Sequence, residues 1–447
     1  MKPDIPHILL VNPWIHDFAA YDFWAKPVGI LTLASILRSH GYAVEYIDCL
    51  NRFHPSAPET DPYARSGRGP YGKSPLPNPA GLQNVRRKFS RYGIRPEWFL
   101  QDLQAAHRPD LILVTSVMTY WYPGVQETIR MIRTVYPDVP VILGGIYATL
   151  CREHAIRYSG ADRIVSGAGE EFVLKLAGSM TGFPVSMNFD PEDLNTYPYP
   201  AFDLQTRIGY IPMLTSRGCP FRCAYCASHI LDPERMVRDP RHVMEEIRYW
   251  HTAAGVRDFV FYDDALLVNA PELALPLFEE IVRSGLPLRF HTPNAVHIRE
   301  ITKDMAGLMM KAGFETLRLG LETTGFNKRS RLDRKVNEAE FRSAVTCLKS
   351  AGFQSKQIGA YLLCGLPGQS VESVEESIRV VKETGITPVL AYYSPIPGTR
   401  LWKDAIECSR YDLASDPIFT NNAVMPCRPE GFSWETISRL KKMAAGN

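Results

Sequence analysis

The sequence predicts an α/β protein made of two successive parallel-sheet domains, a doubly wound Rossmann-like sheet followed by six further βα units. Three observations lead there. Short apolar, β-branched runs alternate with helical stretches almost throughout; an aperiodic Pro- and Asp-rich stretch interrupts the series once; and 447 residues allow two or three domains with cores of their own.

Composition narrows the class. Fifty Lys plus Arg against 48 Asp plus Glu leave a net charge of +2, with 45% apolar and 22% charged residues. That balance suits a globular protein and argues against a disordered chain or a polycation made for nucleic acid or anionic membrane. The apolar run Ile8 to Val11 is too short for a signal-peptide core, and nowhere do about 18 uncharged apolar residues run together. The expectation is a cytoplasmic protein with no membrane span. Of nine cysteines, three fall within eight residues and six are scattered singly, which points to a reducing compartment and one thiolate-ligated metal site.

In the first domain, residues 1–182, His7–Val11, Val44–Ile47, Leu111–Val117, Val139–Leu143 and Arg163–Val165 read as buried strands. Helical patterns at Gly29–Arg38, Val125–Tyr136 and Glu170–Leu176 separate them, the signature of a sheet covered on both faces. Such sheets bind ligands at the carboxyl ends of their strands. The informative residues are therefore Asn12 and Pro13, then Ser116, Val117 and Met118, then Gly144 and Gly145, then Gly167 and Gly169. A glycine pair straight after a strand lets a bulky ligand approach the backbone, although alone it is more often a plain turn.

An insertion at about residues 51–95 reads as a mobile or partner-covered loop. It contains GRGPYGKS (Gly67 to Ser74), a letter-for-letter P-loop pattern. A phosphate loop needs a strand before it and a helix after it, whereas Pro70 and the following SPLPNP forbid both, so that reading is rejected. The aperiodic residues 183–206 read as a linker.

The second domain, residues 207–402, opens with an apolar strand (Ile211 to Thr215) and then Cys219, Cys223 and Cys226 at spacing C-x3-C-x2-C. Three thiolates on one tight loop suit three corners of a cubic iron–sulfur cluster, with the fourth iron left open. The alternative, zinc completed by His229, fits poorly because structural zinc usually takes its ligands in two pairs from opposite sides of a small fold. Strands at Asp258–Tyr262, Leu288–His291, Thr316–Leu321, Ile358–Leu363 and Pro388–Tyr393 follow, with helices near 242–252, 271–284, 302–312, 337–352 and 371–384. With the first strand these make six βα units whose carboxyl edge is the expected active face.

The cysteine spacing, with Tyr225 immediately before the last cysteine, resembles the radical S-adenosylmethionine (radical SAM) enzymes. The resemblance implies a (β/α)6 partial TIM barrel and a [4Fe–4S] cluster on Cys219, Cys223 and Cys226. It also implies SAM contacts at successive strand ends: Tyr225; Asp263 and Asp264 in FYDDAL; Asn294 in HTPNA; Arg318, Glu322 and Thr323 in RLGLETT; and Gly365 in LLCGLPGQS. Family chemistry is reductive cleavage of SAM to a 5′-deoxyadenosyl radical, with the electron coming from a donor such as flavodoxin or ferredoxin.

The preceding domain, with VNPW, the glycine-pair strand and GADRIVSGAGEE, resembles the cobalamin-binding subclass, and this likeness runs from about His7 to Trp402. It implies a cobalamin site built from Asn12, Pro13, Ser116, Val117, Met118, Gly144, Gly145, Gly167 and Gly169. One departure stands out: Asp48 is followed by Cys49-Leu50-Asn51 instead of the D-x-H-x-x-G loop, so no histidine is offered to cobalt. The expected function is methylation of an unactivated carbon or a phosphorus centre of a small molecule. A cobalamin-dependent radical cyclase or rearrangement catalyst is the nearest alternative, and a non-catalytic iron–sulfur sensor is the alternative of another class. A methylthiotransferase is set aside because its second cysteine triplet is missing. Nucleic acid is not an expected partner, for want of a basic, aromatic-studded segment. Residues 403–447 form a short extension ending in an amphipathic helix at Trp434 to Met443, expected to close the barrel bottom or cover its cavity, and Cys347, Cys364, Cys408 and Cys427 read as free thiols.

Overall fold

The computed structural model describes residues 5–428 and 432–445. Its chain divides into two compact units, Met1–Gly209 with Ser415–Phe419, and Tyr210–Ala414 with Thr420–Asn447.

The first unit runs β1 (His7–Asn12), β2 (Ile15–Asp17), α1 (Val28–Ser39), β3 (Ala43–Asp48), β4 (Lys73–Pro75), β5 (Ser90–Tyr92) and α2 (Pro96–Ala105). It continues through β6 (Leu111–Val114), α3 (Tyr122–Val135), β7 (Val141–Leu143), α4 (Ile146–Leu150), α5 (Arg152–Tyr158), β8 (Arg163–Ile164) and α6 (Glu170–Thr181). Five strands pair in parallel in the order β3-β1-β6-β7-β8. Counted along the sheet's own strands this is 2-1-3-4-5, the flavodoxin-like doubly wound order, with its topological switch between β1 and β6. The runs are uniformly apolar because both faces are covered: Ile8 to Val11 and Leu111 to Val114 are buried throughout.

Two sequence expectations are corrected here. The insertion is not a bare loop, since β4 and β5 pair antiparallel with each other and β5 with β2, making a second, three-stranded sheet. A buried network fixes that sheet to α3: Glu127 binds His16 at 2.8 Å and Arg91 at 2.5 Å. Nor is the stretch before Gly209 a free tether. Arg38 on α1 holds Asp203 through two hydrogen bonds, Ser35 Oγ donates to the Tyr199 carbonyl, and Phe202 is fully buried.

The second unit runs β9 (Ile211–Met213), β10 (Ser216–Arg217), α7 (Ser228–Leu231), β11 (Met236–Val237), α8 (Pro240–Ala254), β12 (Asp258–Phe261), α9 (Ala274–Ser284), β13 (Arg289–His291) and α10 (Lys303–Ala312). It goes on with β14 (Phe314–Glu322), α11 (Glu338–Ser350), β15 (Ile358–Cys364), α12 (Val371–Glu383), β16 (Thr387–Tyr392), α13 (Trp402–Cys408) and α14 (Trp434–Ala445). Six parallel strands stand in sequence order from β9 to β16, so β9 and β16 are the edge strands and the barrel is partial. Phe261 stacks on Phe290 and Phe314 with ring centroids 5.5 and 5.8 Å away, and Phe278 of α9 meets Phe261 and Phe314, so an aromatic layer joins the strands to that helix. Helix α14 packs on α12 and the edge strand β16, where Lys382 Nζ donates to the Met443 carbonyl. The last helix therefore covers a sheet edge, a liability in any open sheet.

Candidate cluster and cofactor sites

The cysteine loop leaves the carboxyl edge of β9, and the sequence gives it rigid ends. Gly218 has φ +78°, and a Cβ there would lie 2.5 Å from the Glu234 carbonyl oxygen, so only glycine makes the turn into Cys219. Asp263, at the end of β12, is buried and accepts from Thr215 N at 3.1 Å and from the Thr215 and Ser216 hydroxyls, both at 2.7 Å. Its carboxylate is occupied in fixing the start of the loop, and burial raises its pKa. Asp264 is the exposed carboxylate, receiving the Ser228 hydroxyl at 2.6 Å. The same Ser228 Oγ lies 3.2 Å from Cys226 Sγ, and the Ser228 amide donates to that sulfur at 3.4 Å.

Burial pushes the Cys223 thiol up to about 11 and raises Cys219, while Lys335 pulls both down. Thiolate ligation requires the proton to leave, so a positive group at this loop matters. Lys335 sits with its Nζ 5.6 Å from the centre of the Tyr225 ring. Burial lowers its pKa, but Glu322, Cys223, Asp333 and Cys226 outweigh this and keep it cationic. Tyr225 donates to Asp333 at 3.2 Å, and buried Asp333 is held by Arg329 at 2.7 Å.

Glu322 ends β14 at φ +65°, where the β14–β15 register slips. A buried non-glycine residue in that conformation stores strain, which proteins retain chiefly at functional positions. Its pKa is raised by burial against the opposing pull of Lys335. Around it, Asn294 is exposed and donates to the Tyr262 carbonyl at 2.5 Å, Arg318 donates to the Leu317 carbonyl at 2.9 Å, and Thr323 Oγ1 accepts from Gly325 N at 3.1 Å. Gly365 (φ +91°) donates its amide to Gln369 Oε1 at 2.7 Å, which folds the loop after β15.

Sequence reasoning missed Lys335, Asp333 and His297. The His297 ring is buried and stacks on Phe221 of the cysteine loop with centroids 4.7 Å apart. Burial, then Lys335 and Arg235, hold its pKa down at about 3, so it is a neutral imidazole. These residues lie far along the chain from the motif, and no local pattern marks them.

In the first unit the expected residues lie along the carboxyl edge of the sheet, after β1, β6, β7 and β8. Asn12 Nδ2 donates to Asp48 Oδ1 at 2.7 Å, tying the ends of β1 and β3, and Pro13 is buried beside it. Ser116 Oγ donates to the Gly144 carbonyl at 2.7 Å. Val117 and Met118 are left 37% and 42% exposed at the strand end, an apolar surface without cover in this unit. A Cβ on Gly145 (φ +96°) would lie 2.2 Å from the Ser116 carbonyl oxygen, whereas one on Gly144 would meet nothing closer than 3.8 Å and one on Gly167 nothing within 4 Å. Gly169 caps α6. Trp24 and Trp121 are engaged internally, their indoles donating to the Ser66 carbonyl and the Asp17 carboxylate, and Tyr122 donates to Asp416.

Both sites suit the groups the sequence led us to expect. Three soft sulfur donors on one loop, with a lysine near them, match a cubane in which each thiolate takes its own iron. Among the described residues no three His, Cys, Asp or Glu converge on one point as ligands of a single ion. A glycine edge flanked by exposed Val117 and Met118 offers a flat apolar macrocycle the approach that side chains would block.

Comparison with known proteins agrees. Residues 213–381 match the model of the radical SAM superfamily and residues 89–177 that of the B12 binding domain. The chain therefore contains a radical SAM domain and, ahead of it, a B12 binding domain. These two domains imply [4Fe–4S], SAM and cobalamin as cofactors. An uncharacterized methyltransferase of Pyrococcus horikoshii, PH0819, is 24% identical over 370 residues, 75% of this chain and 78% of that one. The anaerobic magnesium-protoporphyrin IX monomethyl ester cyclase of Cereibacter sphaeroides is 26% identical over 342 residues, 68% of this chain and 54% of the cyclase. The fold matches that of the radical SAM methyltransferase TsrM of Kitasatospora setae, solved with cobalamin and a [4Fe–4S] cluster, with TM-score 0.65, 18% identity, and coverage of 90% of this chain and 75% of that one. No described helix is long and apolar enough to cross a membrane.

Proposed function

We propose that this chain is a cobalamin-dependent radical SAM methyltransferase that acts on a small molecule, placing a methyl group on an unactivated carbon or a phosphorus centre. One observation carries the reading: a single chain presents a C-x3-C-x2-C loop at the carboxyl edge of a six-stranded partial barrel and a carboxyl edge bearing glycines after β7 and β8 on a 2-1-3-4-5 sheet. The similarity to methyltransferases supports methyl transfer as the outcome.

When bound, the reduced cluster supplies one electron for cleavage of SAM, and cobalamin supplies a methyl carrier. The chain's part is positional. Cys219, Cys223 and Cys226 hold three irons, and Lys335 offsets the charge of their thiolates. Asp264, Asn294, Arg318, Glu322 and Thr323 offer SAM a mixed set of donors and acceptors for its amino, carboxylate and ribose groups, Tyr225 walls the site, and Gly365 admits the adenine. Asp263 acts behind them by fixing the loop. In the other domain Gly144, Gly145, Gly167 and Gly169 leave the edge bare for the corrin, Val117 and Met118 give it apolar contact, and Asn12, Pro13 and Ser116 hold the strand ends. The domains that serve these roles are residues 1–182 and 207–402, with 183–206 packed on the first of them. A low-potential donor such as flavodoxin or ferredoxin delivers the electrons, and the working compartment is the cytoplasm.

The cyclase similarity favours one second reading, radical cyclisation or rearrangement without methyl transfer. The two readings separate on SAM products. Cobalamin-loaded protein is incubated anaerobically with SAM and a low-potential reductant, without an acceptor. A methyltransferase yields S-adenosylhomocysteine in amounts matching bound cobalt; 5′-deoxyadenosine with no S-adenosylhomocysteine contradicts the proposal and favours the second reading. Failure to bind SAM at all would favour the sensor.

A further inference from the structure

Outside these sites, two thiols that look unrelated in sequence meet. Cys408 closes α13, and Cys427 lies nineteen residues on, after the loop that returns past Thr420. Both point at one acceptor: Cys408 Sγ lies 3.7 Å and Cys427 Sγ 3.6 Å from the Ala405 carbonyl oxygen. The two stretches are pinned together by backbone as well, with Arg410 N donating to the Pro426 carbonyl at 3.2 Å and an Arg410 guanidinium nitrogen to the Val424 carbonyl at 3.3 Å. Cys408 is exposed and Cys427 is 1% exposed.

We propose that Cys408 and Cys427 form a reversible dithiol–disulfide pair, with Cys408 the attacking thiol and Cys427 the resolving thiol. The asymmetry that such a pair needs is present. An exposed sulfur meets the oxidant, and a buried one waits within reach of it. Burial raises both thiols and carries Cys427 far above the ordinary thiol range, while at the exposed Cys408 the neighbouring Cys427 offsets part of the rise. The oxidant is a low-molecular-weight disulfide RSSR. The Cys408 thiolate attacks one sulfur of RSSR, forming a mixed disulfide and releasing RS⁻; Cys427 then loses its proton to solvent and attacks Cys408 Sγ, closing the protein disulfide and releasing the second RS⁻. Two protein thiols are oxidised and one RSSR is reduced to two thiols.

The bond would tie a segment that matters to the barrel. Two residues before Cys427, Met425 is buried at φ +50°, and its Cε lies 3.1 Å from where a Cβ on Gly365 would stand. A disulfide at Cys427 therefore braces the residue that backs the Gly365 loop. A covalent link closing this loop removes chain entropy, though less than one closing a longer loop would.

The test is a thiol trap on the anaerobic, cluster-loaded protein. The protein is equilibrated in buffers of oxidised and reduced glutathione, quenched with an alkylating agent, digested and read by mass spectrometry. The expected result is a peptide pair linking Cys408 to Cys427, lost on adding reductant, and a Cys427→Ser variant that halts with glutathione on Cys408. Cys408→Ser, at an exposed helix end where folding is undisturbed, should leave Cys427 unmodified. A wild-type protein that stops at glutathionylated Cys408, or keeps both thiols alkylated across the whole series, overturns the proposal.

Discussion

Gly144 and Gly145 are neighbours with opposite demands. Gly145 is needed by the protein itself, because any Cβ would strike the Ser116 carbonyl and sit at a positive φ. Gly145→Ala should therefore cost about 1–3 kcal/mol of stability, seen as a lowered denaturant midpoint whether or not cobalamin is present. Gly144 has room for a Cβ, so Gly144→Phe should leave that midpoint nearly unchanged and abolish cobalamin uptake, measured as cobalt per chain after reconstitution. Unaltered uptake would place the corrin elsewhere. At the cluster, Cys223→Ala should remove the brown chromophore and most of the iron and sulfide after anaerobic reconstitution; full iron content would refute the ligand assignment. These residues were legible because each belongs to a contiguous motif. Lys335 was not: its bearing on Cys223 comes from folding 111 residues of intervening barrel, which leaves no mark in local sequence.

At the scale of elements, strands such as β1, β6 and β7 were legible through apolar runs that are the physical consequence of cover on both faces. Strands β2, β4 and β5 were missed because each has only three residues, too few to show alternation, and they carry charged or polar side chains such as His16, Lys73 and Arg91. What stabilises that small sheet is the ion network on Glu127. Burial would raise the Glu127 pKa, but His16 and Arg91 outweigh it and hold it at about 2, against an ordinary 4.5. A depressed carboxylate contributes stability above its unfolded pKa and loses it as pH falls through the folded value. Stability should therefore drop between roughly pH 4.5 and 2, and Glu127→Gln should remove that part of the acid dependence while lowering stability at pH 7. Thermal unfolding across pH checks this; parallel curves for the two proteins would show that the network does not carry the effect.

For the whole molecule, the alternation of strands and helices announced two parallel sheets, and the flavodoxin-like strand order then fixed where a ligand must lie on the first. Less was legible in the connections. The stretch 183–206 lacks periodicity because it is held on α1 by individual contacts, the Asp203 side chain and the Tyr199 carbonyl among them, and not as one face of an element. The account rests on one chain holding a [4Fe–4S] cluster and cobalamin together. The most direct measurement is iron, acid-labile sulfide and cobalt per chain, with the visible spectrum, after anaerobic purification with cobalamin supplied. About four iron, four sulfide and one cobalt per chain are predicted. A full cluster with no cobalt would contradict the account, leaving the first domain a scaffold and removing the basis for methyl transfer.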